Sequence, residues 1–249
     1  SPAFTLHVGD IKSGSSLCSD EAFASVRKVF DAFEQPLVYT PGDNEWTDCH
    51  RRSCGQYDPL ERLARLRTMF FPTEQSLGKR KLTLQSQASQ SGFGKFVENR
   101  RWSVGKVSFV TLHLVGSNNN LQPELPSSSE FAARDEANIA WLRDTFTDAR
   151  DRHDVAVVLA MQADTFMTEP GPASGFTHWL AALRDEVVRW RKPVLLIQGD
   201  THVFRIDHPL KNADGKPLFA IAKNTMKNAN QGIVFRSEEH TSELQSRSA

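Results

Sequence analysis

The chain has 249 residues, 39% of them hydrophobic and 24% charged, with 30 Lys and Arg set against 30 Asp and Glu. That length suits one α/β domain, and a formal net charge of zero gives no specific signal for nucleic acid or for an anionic membrane surface. No apolar run reaches the ~20 residues that a membrane span needs, and no signal peptide is visible.

Phe4–Val8 reads as a core strand that ends at Gly9-Asp10. A chain opening on such a strand is expected to lack an upstream βα unit and any leader. A Ser- and Gly-rich loop then leads to a helix capped by Ser19 or Asp20, with Ala22, Val26, Val29, Phe30 and Phe33 at helical spacing. Leu37–Thr40 is a short apolar strand, broken by Pro41-Gly42, that delivers Asp43-Asn44-Glu45. Strand, helix and strand together imply a parallel pair with its ends side by side.

Asp58 caps the next helix, with Pro59 in its first turn and an apolar face of Leu60, Leu63, Leu66, Met69 and Phe70. The basic residues between Arg62 and Lys81 read mostly as a solvated face. Residues 72–92 are polar, with weak β alternation at Leu82–Leu84, and Phe93–Trp102 with Lys106–Val115 reads as an antiparallel pair. After a polar loop at Asn118-Asn119-Asn120, a long helix is expected from Ser129 to about Arg150. Val155–Met161 is a continuous apolar run, the mark of a strand buried on both faces, and ends at Gln162. A helix over Phe176–Trp190 precedes a second buried strand, Val194–Gln198, which ends at Gly199-Asp200-Thr201-His202. Short strands are expected at Val203–Asp207, Leu218–Ala222 and Gly232–Phe235. Residues 236–249 resemble a translated sequencing adapter and read as a non-native tail beyond a single domain of residues 1–235.

The three cysteines are Cys18, Cys49 and Cys54. Cys18 and Cys49 each follow a Gly-Asp turn and could meet across neighbouring loops, which would suit an exported protein. Three free thiols, and a cytoplasmic protein, are the alternative.

The grammar of an apolar run followed by Gly-Asp occurs at Asp10, Asp43 and Asp200. In a parallel sheet these turns share one edge, and glycine lets a short Asp point back over the strand end. Carboxylates crowded there repel one another by several kcal/mol in a low-dielectric cleft. A divalent cation relieves that repulsion. The bland reading of Gly42-Asp43-Asn44, a common turn sequence, stands beside this one.

The ordered set Gly9-Asp10, Pro41-Gly42-Asp43-Asn44-Glu45, a buried strand, then Gly199-Asp200-Thr201-His202 resembles the calcineurin-like metallophosphoesterases. The resemblance runs from about residue 4 to residue 222. It implies a four-layer α/β/β/α sandwich, here lacking its first strand, around two divalent metal ions that hydrolyse phosphate mono- or diesters with a metal-bound hydroxide. Carried over, Asp10 takes the role of the metal-bridging aspartate. Asp43 stands where the family has an Asn ligand, and Asn44 where it has the His that assists the leaving group. Gln162 and Asp200 each replace a His ligand, and His202 keeps one.

The implied metal ligands are therefore Asp10, Asp43, Gln162, Asp200 and His202, with Asp10 and Asn44 catalytic. Lys12, Asn44 and Asn118 are candidate contacts to a phosphoester substrate, small or macromolecular. The oxygen-rich set favours Mn, Mg or Ca over Zn. An Asp-x-His pair would lie before Phe4 and is not present, so one metal site is expected to be fairly complete and the other broken. Glu45 reads as an orienting or a capping residue. His113 reads as packed within its strand, His7 as a core residue, and His50, His153 and His208 as surface residues. A catalytically impaired metal- or phosphate-binding protein on the same fold is the second functional reading.

Overall fold

The computed structural model describes residues 2–121, 128–167, 171–209 and 234–238, the last segment and Ser128 as backbone only. The first three elements are β1 (Thr5–His7), α1 (Asp20–Ala32) and β2 (Leu37–Tyr39), and β1 pairs with β2 in parallel, as a β-α-β unit requires. Ser19 is the cap of α1, accepting from the Ala22 N–H. The alternation along both strands sorts their side chains onto two faces. Leu37 and Tyr39 pack on Phe23, Phe30, Leu63, Leu66 and Phe70, which come from α1 and from α2 (Pro59–Phe70). Phe4, Leu6 and Val38 face the other way, onto Leu84, Trp102 and Phe109.

Trp102 and Phe109 belong to a second sheet. Its strands are β3 (Gln85–Ser86), β4 (Arg100–Val104), β5 (Val107–Thr111), β6 (Ala156–Ala160), β7 (Val194–Gln198), β8 (Ile206–Asp207) and β9 (Val234–Glu238). Their spatial order is β3-β4-β5-β6-β7-β9-β8. The centre, β5-β6-β7-β9, is parallel, while β3, β4 and β8 are antiparallel to their neighbours. Between β5 and β6 lie a short turn, α3 (Gly116–Asn119), and a long helix, α4 (Ser128–Asp151). Between β6 and β7 lies α5 (Thr177–Trp190). Trp141, Leu142 and Phe146 of α4 and Trp179, Leu183 and Val187 of α5 cover Val110, Val157, Leu159, Val194 and Leu196. The described residues thus form a mixed α/β structure with three apolar clusters.

Several sequence expectations change. The strand expected over Phe93–Trp102 begins only at Arg100, because Gly92 and Gly94 weaken the preceding segment. Arg62 and Arg67 turn inward rather than to solvent. Arg62 is 6% exposed and bonds the Cys18 carbonyl and Asp20 at 2.9 Å each. Arg67 grips buried Glu98 with two bonds of 2.6 and 2.9 Å. Burial alone would raise the Glu98 carboxyl, but Arg67 and His113 hold it well below its usual range. The strand expected over Gly232–Phe235 is described as β9 over Val234–Glu238. The expected strand at Leu218–Ala222 and the tail beyond Glu238 lie outside the described residues.

Cys18 and Cys49 form a disulfide, with Cα atoms 5.8 Å apart and 31 residues of separation, and Cys54 is a buried free thiol. The bridge ties the loop after Asp10 to the loop after Asp43. Closing a loop of that length constrains the unfolded chain by roughly 3–4 kcal/mol in the chain-entropy model. The double variant Cys18→Ala/Cys49→Ala should therefore lose about 2–4 kcal/mol of unfolding free energy in urea. An unchanged midpoint would show that the bridge adds no stability.

Candidate metal centre

The carboxyl ends of β1, β2, β5, β6 and β7 converge, and each is followed within a few residues by a polar or glycine turn: Asp10, Asp43, Gly116, Gln162 and Asp200. Ligand sites of open α/β sheets form at such ends. The local backbone is bent to the purpose. Asp10 and Asp200 adopt left-handed φ values of 55° and 77°, a conformation that costs a non-glycine residue on the order of 1–2 kcal/mol. A Cβ on Gly116 would stand 2.6 Å from Asp43 Oδ2 and 2.8 Å from both Asp200 carboxylate oxygens. A Cβ on Gly42 would stand 2.8 Å from Gln162 Cγ. Only glycine leaves the carboxylates room to close up.

They do close up. One oxygen from each of Asp10, Asp43 and Asp200 lies within 4.8 Å of the others. At that separation two ionised carboxylates repel by about 3–4 kcal/mol for an effective dielectric of ~20. Burial, reinforced by Glu45, Asp43 and Asp200, pushes the Asp10 carboxyl up to about 9. Burial, reinforced by Asp43, pushes Asp200 up to about 6. Gln162 partly offsets the repulsion, its Nε2 donating to Asp10 Oδ2 and Asp43 Oδ1 at 3.1 Å each. Its Oε1 is taken by the Gly116 N–H at 2.6 Å. Ser117 Oγ donates to Asp43 Oδ2 at 2.9 Å and lies 3.1 Å from Asp48 Oδ1, whose other oxygen pairs with Arg51 at 2.7 Å.

The donor set fits a divalent cation. All three side chains are hard oxygen donors, Asp10 Oδ1 is buried with no hydrogen-bond partner, and the Lys12 ammonium is spent elsewhere, on the carbonyls of Ser13 and Ser16 at 3.0 Å each. Gln162 reaches the group through its amide nitrogen, as a donor to the carboxylates. His202 is exposed and lies outside the carboxylate group.

The remaining expected residues are placed as follows. Asn44 is half-buried, its Oδ1 packed where a Gly14 Cβ would stand 2.7 Å away. Glu45 Oε1 accepts from the Gly42 N–H and the Tyr39 hydroxyl, both at 2.8 Å, so this carboxylate closes the turn. Burial pushes it up to about 7. Asn118 braces a neighbouring loop, donating to the Ala173 carbonyl and accepting from the Gly175 N–H at 2.9 Å each. His113 Nδ1 lies 2.8 Å from Glu98 Oε1, both fully buried. Sequence reasoning passed over Gly116, Ser117 and Asp48. The signal for the first two was present: Gly116-Ser117 follows the apolar run ending at Val115, as Gly-Asp follows the other strands.

No family model matches the chain, and no curated protein sequence matches it. Among solved structures it is similar to a dimetal phosphatase from Danio rerio, with a TM-score of 0.54 and 13% identity over 96% of this chain and 72% of that one. The class defined here is a fold: the chain shares the mixed α/β architecture of that dimetal phosphatase. Among the described residues no helix is long and apolar enough to cross a membrane.

Two measurements probe the centre. In the metal-free protein Asp200 and Asp10 keep protons to about pH 6 and 9, while the unfolded chain releases them near pH 4. Their contribution to stability is therefore full below about pH 4 and is lost as pH rises through the folded values. The melting temperature in chelator should fall from pH 5 to pH 8, and Mn²⁺ should raise it most at pH 8. A flatter slope is expected in Asp200→Asn, and an Mn²⁺ effect that is equal at both pH values would remove the carboxylates as its cause. Separately, Gly116→Ala should keep the circular dichroism of the fold yet weaken Mn²⁺ binding at least tenfold by calorimetry. Unchanged affinity would mean that the ion is not held by Asp43 and Asp200.

Proposed function

We propose that the chain is a metal-dependent phosphoesterase. The observation that carries this reading is the trio Asp10, Asp43 and Asp200, drawn together at the strand ends of a dimetal-phosphatase fold with Asp10 Oδ1 buried and unpartnered. These three carboxylates would hold one divalent ion, with Mg²⁺, Mn²⁺ or Ca²⁺ preferred over Zn²⁺ by donor hardness. A divalent ion so held supplies Lewis-acid polarisation of a phosphoryl oxygen and lowers the pKa of bound water. A second ion, as the dimetal character of the structural neighbour suggests, is proposed to use His202, two residues beyond Asp200. The three apolar clusters support reading the layers as helices, two-stranded sheet, larger sheet and helices.

The chain's own residues then have definite tasks. Gln162 Nε2 and Ser117 Oγ orient the Asp10 and Asp43 carboxylates. Asn44, next to Asp43, is proposed as an amide donor to the phosphate, and Lys12 as a loop stay rather than a substrate contact. Asn44 has no proton to give at neutral pH. Esters whose leaving groups are weak bases are therefore favoured, aryl phosphates above all. The Cys18–Cys49 disulfide supports a protein that works in an oxidising compartment.

The second reading, a metal- and phosphate-binding protein without turnover, is favoured by Asn44 standing where the resembling family has its histidine. One experiment separates the two. With Mn²⁺ or Mg²⁺, 4-nitrophenyl phosphate or its bis-ester should be hydrolysed at least 100-fold faster by the native chain than by Asp10→Asn or Asp200→Asn. Equal rates with retained Mn²⁺ binding would leave the binding protein as the answer.

A further inference from the structure

The segment that follows Asp43 carries a guanidinium for which the metal centre itself has no use. From its placement we infer that Arg51 anchors the phosphoryl group and thereby sets the substrate class, phosphate monoesters ahead of diesters. This rests on the phosphoesterase reading and adds which kind of ester the centre takes.

Three observations carry it. The first is a chain of contacts that runs from Arg51 to the carboxylate trio. Arg51 Nη1 lies 2.7 Å from Asp48 Oδ2. The other oxygen of Asp48 lies 3.1 Å from Ser117 Oγ, which donates to Asp43 Oδ2 at 2.9 Å. Asp48 is therefore lodged between the guanidinium and a metal ligand. Its side chain is 4% exposed, whereas that of Arg51 is 47% exposed. One nitrogen is committed to Asp48, and a planar fork with five N–H donors has others to offer at the flank of the centre.

The second is a gap over Gly14. A Cβ there would stand 2.7 Å from Asn44 Oδ1 and 3.7 Å from Arg51 Nη1. The Asn44 amide, already proposed as a donor to the phosphate, and the Arg51 guanidinium thus flank one space that a glycine leaves clear. Donors on two sides of such a space can bond two oxygens of a single phosphoryl group, at about 2.9 Å each.

The third is rigidity. Arg51 sits between two single helical turns, Thr47–His50 and Arg52–Cys54. Its N–H donates to the Asp48 carbonyl, and its own carbonyl accepts from the Cys54 N–H, at 3.0 Å each. The Cys18–Cys49 disulfide ties the first turn to the loop that carries Gly14. Cys54 Sγ, 3.2 Å from the Gly14 carbonyl, ties the second. Guanidinium and gap are preorganised for a ligand.

The substrate class follows from the oxygens available. A metal ion takes one oxygen of the phosphoryl group, the Asn44 amide a second, and the Arg51 fork a third. A monoester has three non-bridging oxygens sharing its charge. A diester has two, and offers the guanidinium an alkylated oxygen with no charge to pair.

The test reads binding, so that it does not depend on turnover. The full chain, saturated with Mn²⁺ in mildly alkaline buffer, is titrated by calorimetry with methylphosphonate, a dianion there, and with its monomethyl ester, a monoanion. The native chain should bind the dianion at least 30-fold tighter. The ion alone also favours the dianion, so the deciding quantity is the change in this ratio between variants. Arg51→Gln should lower it at least fivefold while Mn²⁺ affinity stays within about threefold of native. Arg51→Lys, which keeps a cation beside Asp48 but loses the fork, should recover only part of the ratio. A residue needed merely to neutralise Asp48 would be replaced by Lys without loss. Gly14→Ala, which fills the gap, should weaken methylphosphonate at least fivefold, and circular dichroism checks the fold of each variant.

An unchanged ratio in Arg51→Gln, full recovery in Arg51→Lys, or no phosphonate binding by the native chain overturns the inference. So does a loss of Mn²⁺ affinity in step with phosphonate affinity in both Arg51 variants, which would make Arg51 a support of the metal centre. The expected ratios without ester hydrolysis would uphold the anchor and overturn the enzyme. Hydrolysis with an unchanged ratio would do the reverse.

Discussion

The structure is arranged around a repulsion. Asp10, Asp43 and Asp200 bring carboxylate oxygens within 4.8 Å in a largely buried setting, where each ionised pair opposes folding by about 3–4 kcal/mol. Nothing local to any of the three stretches requires them to meet. They meet because parallel strands from two sheets end at one place, and because Gly42 and Gly116 carry no side chain to keep them apart. A protein maintains such an arrangement only if the surrounding structure is stiff enough to oppose it.

That stiffness is visible on every side. The Cys18–Cys49 disulfide fastens the loops that follow Asp10 and Asp43. Glu45 closes the Asp43 turn from within, bonded to Gly42 and Tyr39. On the opposite side Ser117–Asn120 runs through four consecutive left-handed residues, with φ between 51° and 56°. Asparagine tolerates that conformation better than most residues, and Arg134 pins it by bonding the His113 carbonyl before the turn and the Asn119 carbonyl within it. The ion pair of Arg67 and buried Glu98, extended by the His113 ring that burial holds towards its neutral form, lies beneath the end of β5. Removing one partner from such a pair strands another charge in the interior, which commonly costs about 3–5 kcal/mol. The polar core thus constrains the position of the turn that carries Ser117.

The chemistry follows from which groups carry protons and which do not. The trio offers oxygen donors and an unpartnered Asp10 Oδ1 to a cation. Gln162 turns its amide nitrogen inward and serves the carboxylates as a donor. Asn44 adds hydrogen-bonding capacity without acid strength. On the proposed phosphoesterase reading, the centre would bind and polarise a phosphoester while leaving protonation to solvent or dispensing with it through a weakly basic leaving group.

Much of this was readable from residue order. Helical spacing located α1, α2, α4 and α5, apolar runs located β6 and β7, and the repeated Gly-Asp marked three of the residues at the centre, because these signals arise from neighbours in the chain. What required the folded chain was everything that depends on distant partners. Arg62 and Arg67 look like surface residues until Asp20 and Glu98 arrive from elsewhere. Gln162 looks like a metal ligand until the Gly116 N–H claims its oxygen. Lys12 looks free until its own loop folds back on it. Gly116 and Ser117 look like loop residues until Asp43 and Asp200 close around them. Local periodicity places a residue on an element, but the partner that decides its charge, its exposure and its role is set by packing between elements dozens of residues apart.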